Sequence, residues 1–114
     1  MPHNGDIVRL RHMLDAAREA IHYAAGRSRA DLDQERPLQV LLVHSLEILG
    51  EAANGVSDAY CQSHAEIPWG IIIGMRNRLV HAYFDINLDI VWGTVNEDLP
   101  SLVVTLERLL GDKG

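Results

Sequence analysis

Apolar side chains recur every three or four residues along almost the whole chain, which is the spacing of one face of an α-helix. The first such run extends from about Asp6 to Ala25, and Gly26 is its expected end. Its apolar members are Ile7, Leu10, Leu14, Ala17 and Ile21. No segment alternates polar and apolar residues in the manner of a half-buried strand. The pattern therefore predicts an all-α protein.

A second helix follows a polar stretch from Arg27 to Arg36, which we expect to be a loop or a short helical turn. Pro37 suits the first turn of this helix, and its expected end lies near Asn54 and Gly55. Its apolar arc is wide and consists of Leu41, Leu42, Ser45, Leu46, Leu49, Ala52 and Ala53. Because a wide apolar arc has to be covered on several sides, the second helix should be central in the fold.

The second half of the chain predicts a short helix from Val56 to His64 and a further helix that opens around Pro68. After a turn around residues 85–87, an apolar stripe continues to the C-terminus through Leu88, Val91, Trp92, Val95, Leu99, Leu102, Leu106 and Leu109. The stripe passes Pro100 without losing phase, so we expect a helix kinked there or two stacked pieces. The predicted architecture is an up-and-down bundle of four to five helices.

Length and composition limit the function classes. A chain of 114 residues, of which 47% are hydrophobic, has room for a single domain over residues 1–114. Cys61 is the sole cysteine, which excludes a disulfide framework or a Cys-rich zinc site within one chain and fits a reducing cytoplasm. We find no apolar run of the roughly 20 residues that a membrane span needs, and no secretory signal, so we expect no membrane association.

The charge balance bears on nucleic-acid binding. A formal net charge of -6 argues against a general nucleic-acid coat, because such proteins use many Lys and Arg residues to neutralise phosphates. Any RNA should therefore bind at a small, local basic site.

The stretch from Arg76 to Tyr83 has the form Arg-x4-His-x-Tyr and holds the groups needed to cut RNA without a metal. His81 can act as a general base or acid near neutral pH, and Arg76 offers a permanent cation for two phosphate oxygens. Attack by the 2′-hydroxyl would leave a 2′,3′-cyclic phosphate, so DNA should resist cleavage. Arg78 falls on another side of the helix, where a solvated or salt-bridged surface arginine is the favoured interpretation.

Helical geometry predicts where these groups lie. Ile71, Ile72, Met75 and Leu79 share one arc, the expected core face of the motif helix. Nearly opposite are Asn77 and His81, with Asn77 placed to bond the imidazole. The outer arc also carries Ile73 and Val80, which favours cover by the same helix of a second subunit in a symmetric homodimer. A two-fold axis would bring two copies of the polar groups together.

Several residues have competing interpretations. Tyr83 could be exposed beside the helix end or could pack the turn before Asp85, with about even weight on general tendencies. The stripe formed by His44, Glu47 and Glu51 resembles a carboxylate metal site, but such sites need Glu-x-x-His on two helices, so a polar surface stripe is favoured and no metal is expected. Cys61 lacks an adjacent base and is interpreted as a packing or loop residue.

The motif segment resembles the signature of the HEPN superfamily and, within it, of HepT-like toxins. The resemblance is carried by Arg76-Asn77, His81 and Tyr83, with the flanking Ile67-Pro68-Trp69 and Asp85-Ile86-Asn87. The resemblance implies a homodimer with the paired motifs at one interface and a metal-independent endoribonuclease without a cofactor. Arg76 and His81 would be its catalytic residues, and tRNA its expected substrate. The segment Glu47-x-x-Gly50-Glu51-Ala52 also resembles the family, and Glu47 or Glu51 would orient Arg76.

The resemblance further implies a type VII-like toxin–antitoxin pair. A minimal nucleotidyltransferase antitoxin would neutralise the toxin by transferring AMP to Tyr83, where added negative phosphate repels RNA. The alternative from another class is a non-catalytic helical binding module that docks a nucleotidyltransferase and acts as its AMP acceptor or regulator. Cleavage of RNA by the unmodified protein distinguishes the two.

Overall fold

The fold consists of helices arranged around one apolar core, with a very short hairpin near the middle of the chain. A computed structural model describes residues 4–82 and 85–111, and for Asn4, Arg76 and residues 80–82 it describes the backbone alone. In chain order the elements are α1 (Asn4–Ala24), α2 (Arg29–Gln34), α3 (Arg36–Asn54), α4 (Asp58–Ser63), α5 (Trp69–Ile73), α6 (Met75–Leu79), β1 (Val80–Ala82), β2 (Asp85–Ile86), α7 (Leu88–Gly93) and α8 (Leu99–Leu110). The all-α prediction is confirmed, and the hairpin is an addition to it.

Helix α3 is central, as its wide apolar arc predicts. It packs on α1 along most of its length and also contacts α2, α5, α6 and α7, while α8 packs on α1. The leucines that fill the core without solvent exposure come from all parts of the chain and include Leu10, Leu14, Leu32, Leu42, Leu49, Leu79 and Leu106. Each fully buried leucine stabilises the fold by about 2 kcal/mol through removal of its side chain from water.

Three residues that the apolar stripes assigned to the core lie at its edge instead. Ile7 is 38% exposed, Leu41 39% and Ile71 59%, so the predicted core positions of these residues are wrong. Each sits at the margin of the buried arc of its helix, where the neighbouring helix no longer covers it. Residues that the stripes omitted, including Met13, Ala16 and Ala20, occupy the centre of the α1 contact.

Asp6 is a buried acidic residue in the first turn of α1. Its side chain is 3% exposed and accepts hydrogen bonds from the Ser57 backbone N–H at 2.8 Å and the Ser57 hydroxyl at 2.7 Å. The Ser57 hydroxyl in turn accepts a bond from the Tyr60 N–H at 3.2 Å and so caps α4. This chain of bonds fastens the start of α1 to the start of α4.

The helix ends follow the predicted signals. Gly26 adopts a φ of 75°, which glycine reaches without steric cost, just after α1 ends. Ser28 and Asp31 then form a capping box that begins α2, and Pro37 lies in the first turn of α3. The polar stretch before α3 is therefore a short helix, one of the two predicted forms.

Pro100 marks the expected irregularity in the C-terminal helix. Between α7 and α8 the backbone forms a π-helical turn from Thr94 to Asp98, and Pro100 occupies the first turn of α8. A proline within a regular helix would clash with the carbonyl four residues earlier, and the wider π turn accommodates it. The two pieces stack as one continuous stripe, in agreement with the prediction. Within the described parts of the chain, the helices are too short or too polar to cross a membrane.

Candidate functional site

The segment that carries the motif is anchored at its start by an aromatic cluster. Trp69 is 9% exposed, and its indole N–H donates to the His64 carbonyl at 3.0 Å. Its ring meets Tyr60 edge to face with the ring centres 6.3 Å apart, and the His64 ring stacks on Tyr60 at 4.0 Å. Burial, the largest cause, raises the pKa of Tyr60. This cluster fixes where α5 begins.

Glycine interrupts the predicted motif helix. α5 ends at Ile73, Gly74 donates its N–H to the Gly70 carbonyl at 3.0 Å, and α6 starts at Met75. A helix through His81 was expected, but α6 ends at Leu79. The Asn87 N–H donates a hydrogen bond to the Leu79 carbonyl at 2.6 Å, in place of the N–H that would follow in a continued helix. The β-branched Val80 favours the extended backbone that follows.

His81 consequently lies in a strand rather than in a helix. In the antiparallel pair of β1 and β2, Val80 opposes Ile86 and Ala82 opposes Asp85, so His81 is the extra residue of a β-bulge. Bulges are common beside active sites, where they redirect a side chain and interrupt the ladder. The prediction that Asn77 and His81 share one helical stripe is therefore wrong, because the helical phase ends before His81.

The structure places Arg76, Asn77 and Arg78 on consecutive positions of α6. The expected core residues Ile72, Met75 and Leu79 are buried, and Asn77 is exposed as predicted. Arg78 is exposed, and its guanidinium donates one hydrogen bond to the Ile71 carbonyl at 3.2 Å. Its interpretation as a surface arginine is confirmed.

Helix α3 approaches this segment unusually closely at Gly50. A β-carbon at Gly50 would lie 3.1 Å from the Ile72 carbonyl oxygen, so only glycine allows this contact without a shift. Glu47 and Glu51 flank Gly50, and with Asn54 and Ile73 they line a cavity of about 130 Å³. Glu47 is half-buried there and Glu51 is exposed. Both carboxylates therefore lie beside the residues that lead into α6.

The remaining candidates separate from this site. His44 is exposed on α3, and among the side chains that the structure describes no group of three His, Cys, Asp or Glu could hold a metal ion. Cys61 is half-buried against the core, and burial is the main cause that raises the pKa of its thiol, in agreement with a packing role. Tyr83, the expected AMP acceptor, lies outside the described residues.

Sequence reasoning missed a second cavity, of about 240 Å³, between α5 and the C-terminal helix. Arg78 of α6 and Asp98, which precedes α8, are both among its lining residues. The missed signal is a polar stripe spaced by four, three and four residues beside the apolar stripe of the C-terminal helix, formed by Thr94, Asp98, Ser101 and Thr105.

Comparisons with known proteins identify the family. Residues 13–109 match the family model described as "Ribonuclease HepT-like". A protein of Caldanaerobacter subterraneus subsp. tengcongensis, provisionally named an RNase, is 34% identical over 89% of this chain and 90% of its own length. A protein of Thermococcus cleftensis, provisionally named a ribonuclease HepT, is 39% identical over 66% of this chain and 68% of its own length.

A related segment also occurs within a longer chain. A protein of Methanocaldococcus jannaschii, named as a gamma-glutamylcyclotransferase and provisionally as an RNase, is 27% identical over 89% of this chain, which covers 46% of that protein. No solved structure matches significantly. On the extent of the family match and of the relatives' coverage, the chain belongs to the HepT-like family of the HEPN superfamily.

Proposed function

We propose that this protein is a metal-independent endoribonuclease that uses Arg76 and His81. The observation that carries the proposal is the position of His81 as the bulge residue of a hairpin that follows α6 directly. Arg76 is the second residue of α6 and precedes His81, in the adjoining strand β1, by five positions. The match to the HepT-like family supports the same activity.

Cleavage of RNA by this route requires two proton transfers and a positive charge beside the phosphate. A base removes the proton of a ribose 2′-hydroxyl, and the 2′-oxygen attacks the adjacent phosphorus. The bond to the 5′-oxygen breaks, and that oxygen receives a proton from an acid. The products are a 2′,3′-cyclic phosphate and a 5′-hydroxyl. His81 carries the proton transfers, and Arg76 stabilises the negative charge that gathers on the phosphate oxygens.

We further propose a homodimer in which two copies of His81 serve as base and acid. Exposed apolar side chains on α3 and at the end of α5 support this assembly. Val40 is 49% exposed, Ile48 38% and Ile73 39%. On α3 the exposed positions 40, 44, 48 and 51 follow one helical face, so a second copy could cover them together. The resulting cleft would hold one sugar–phosphate linkage.

The supporting residues follow from the same arrangement. Glu47, half-buried beside Ile73, is suited to orient the Arg76 guanidinium, and Glu51 is suited to contribute to the field of the cleft. Asn77 is exposed on α6 and is available to RNA. These assignments make Glu47, Glu51 and Asn77 positioning residues rather than reacting groups.

Purified protein incubated with total tRNA in EDTA tests the activity. We expect cleavage by the parent protein and loss of cleavage in His81→Ala and in Arg76→Ala. Matched controls are His12→Ala and Arg36→Ala, two exposed residues remote in sequence from the motif, which should cleave as the parent does. Equal cleavage by His81→Ala would refute the assignment, and no cleavage by the parent would favour the non-catalytic binding module.

Regulation by a nucleotidyltransferase is a separate part of the proposal. We propose that a minimal nucleotidyltransferase antitoxin transfers AMP from ATP to the Tyr83 hydroxyl, with release of pyrophosphate. The added phosphate places negative charge near the cleft and repels RNA. Mass spectrometry after incubation with the partner and ATP should find AMP on Tyr83, and a Tyr83→Phe protein that still gains AMP would contradict this site.

A further inference from the structure

The cavity between α5 and the C-terminal helix has the features of a small ligand site. Its volume is about 240 Å³, and its apolar wall consists of side chains that are nearly or fully buried, namely Ile67, Ile72, Met75, Leu99 and Leu102. Ile71, at 59% exposure, stands among the lining residues as an accessible apolar surface. A flat, largely apolar group would bury this wall from water.

Two charged side chains line the cavity without pairing with each other. Among the residues that the structure describes, the Asp98 carboxylate has no hydrogen-bond or ion-pair partner, and Arg78 donates a single bond, to the Ile71 carbonyl. A guanidinium has five N–H donors, so most of the capacity of Arg78 is unused. The cavity therefore offers both a hydrogen-bond acceptor and a cation to a ligand.

The hydroxyls near Asp98 add acceptors rather than donors. Ser101 donates its hydroxyl proton to the Asp98 carbonyl at 3.2 Å, and Thr105 donates its own to the Ser101 carbonyl at 3.2 Å. Their oxygen lone pairs remain available to accept. The other carboxylate of the lining, Glu66, is paired with Arg108 at 3.2 Å. A ligand for this wall must therefore bring hydrogen-bond donors.

We propose that this cavity binds a guanine base of RNA, with the attached phosphate at Arg78. Guanine presents two adjacent N–H donors on its Watson–Crick edge, which match the two oxygens of a carboxylate such as Asp98. Adenine offers only its amino group on that edge beside an acceptor nitrogen. Arg76 and Arg78 belong to the same short helix but to different sides of it, so an RNA strand that places a base here would pass around α6 to reach the motif. The inference rests on the proposed ribonuclease function for its biological setting, but the binding itself does not require cleavage.

Binding of mononucleotides tests the proposal directly. GMP and AMP are titrated separately into the ¹⁵N-labelled protein, and the dissociation constants are taken from NMR shifts. We expect GMP to bind at least about tenfold more tightly than AMP, which is the effect of one charge-assisted hydrogen bond. Asp98→Asn should reduce the preference to less than about threefold, because the amide keeps one acceptor and gains a donor. The matched control is Glu97→Gln, an exposed carboxylate one residue earlier that does not line the cavity.

Arg78→Gln separates the phosphate contact from the base contact. This variant should weaken GMP and AMP by similar factors and leave the binding of guanosine, which has no phosphate, unchanged. Arg36→Gln, which replaces an exposed arginine of α3, is its control. Thermal unfolding of each variant verifies that the fold is intact, since all four side chains lie at the surface.

The outcomes distinguish this proposal from the nuclease. A guanine preference that depends on Asp98 supports the base site even if the protein cuts no RNA. The absence of RNA cleavage would reject the nuclease but not the base site. Equal binding of GMP and AMP, or a preference unchanged in Asp98→Asn, overturns the base site even if RNA is cut at His81. If neither nucleotide binds and Ile71→Ser instead dissociates an oligomer in sedimentation, the cavity is a protein contact and the base site is overturned.

Discussion

Gly50 of α3 lies so near Ile72 of α5 that a β-carbon on the glycine would approach the Ile72 carbonyl oxygen to 3.1 Å. We predict that Gly50→Ala displaces α5 and α6 from α3. The rate of RNA cleavage should fall clearly, while the free energy of unfolding should change little. Alanine gains about 1 kcal/mol of helix propensity over glycine, which offsets part of the cost of the clash. Cleavage rates and urea unfolding of the same preparation provide the measurement.

The control for this prediction is Gly93→Ala in α7. A β-carbon at Gly93 meets nothing closer than a Glu97 carboxylate oxygen at 3.9 Å, an ordinary contact. This substitution should raise the free energy of unfolding by up to about 1 kcal/mol and leave cleavage unchanged. If Gly50→Ala behaves like Gly93→Ala in both measurements, the close approach has no role in positioning the motif.

Asp6 should be the most costly acidic residue to remove from α1. Asp6→Ala leaves the half-buried Ser57 N–H and hydroxyl without their acceptor, and we expect the free energy of unfolding to fall by about 1–3 kcal/mol. Asp15→Ala, at an exposed position of the same helix, should change it by less than about 0.5 kcal/mol. Urea unfolding followed by circular dichroism measures both free energies. Losses of equal size would contradict a stabilising role for the hydrogen bonds between Ser57 and Asp6.

The Cys61 thiol should react slowly in the folded protein. Burial is the largest cause that raises its pKa, and the Asp58 carboxylate adds to it, so little of the nucleophilic thiolate forms near neutral pH. Alkylation by iodoacetamide at pH 8 should therefore be slower for the native protein than for the urea-unfolded chain, as followed by mass spectrometry. Equal rates in the two states would show an exposed, ordinary thiol.

The pair of Glu66 and Arg108 predicts a pH dependence. A hydrogen bond from its own backbone N–H, followed by the bond from Arg108, lowers the pKa of Glu66. A carboxyl with a lowered folded-state pKa stabilises the fold above its unfolded pKa, about 4.3, and loses this contribution as the pH falls through the folded pKa. Arg108→Ala should raise the pKa of Glu66 in an NMR titration, while Arg108→Lys should raise it less. No change in Arg108→Ala would reject the pair.

The helices could be predicted from the sequence because apolar spacing and end signals agree along most of the chain. Gly26, Pro37 and Pro100 lie where their backbone restrictions require. The margins of the stripes could not be predicted in the same way, because exposure at Ile7 or Ile71 depends on how far a neighbouring helix extends.

The candidate site was harder to predict than the fold. Helical periodicity extends smoothly through Leu79 to His81, and only the tertiary bond from Asn87 to Leu79 reveals that the helix ends between them. The proximity of Glu47 to the motif segment depends on the close approach of α3 and α5 at Gly50. The sequence shows only a glycine within a predicted helix and does not indicate which segment approaches it. The residue types of the site were therefore predictable, and their arrangement was not.

The two carboxylates beside Gly50 should differ in their effect on cleavage. Glu47 is half-buried, so its charge acts on a neighbouring guanidinium through less water than the charge of the exposed Glu51. If Glu47 orients Arg76, Glu47→Gln should lower kcat by about tenfold with a smaller change in KM, because the lost contact serves the transition state. Glu51→Gln should lower kcat by less than about threefold, and both variants should unfold at the parent temperature. Glu47→Asp should restore part of kcat, since the charge returns on a shorter side chain. A larger loss in Glu51→Gln than in Glu47→Gln would exclude Glu47 as the group that positions Arg76.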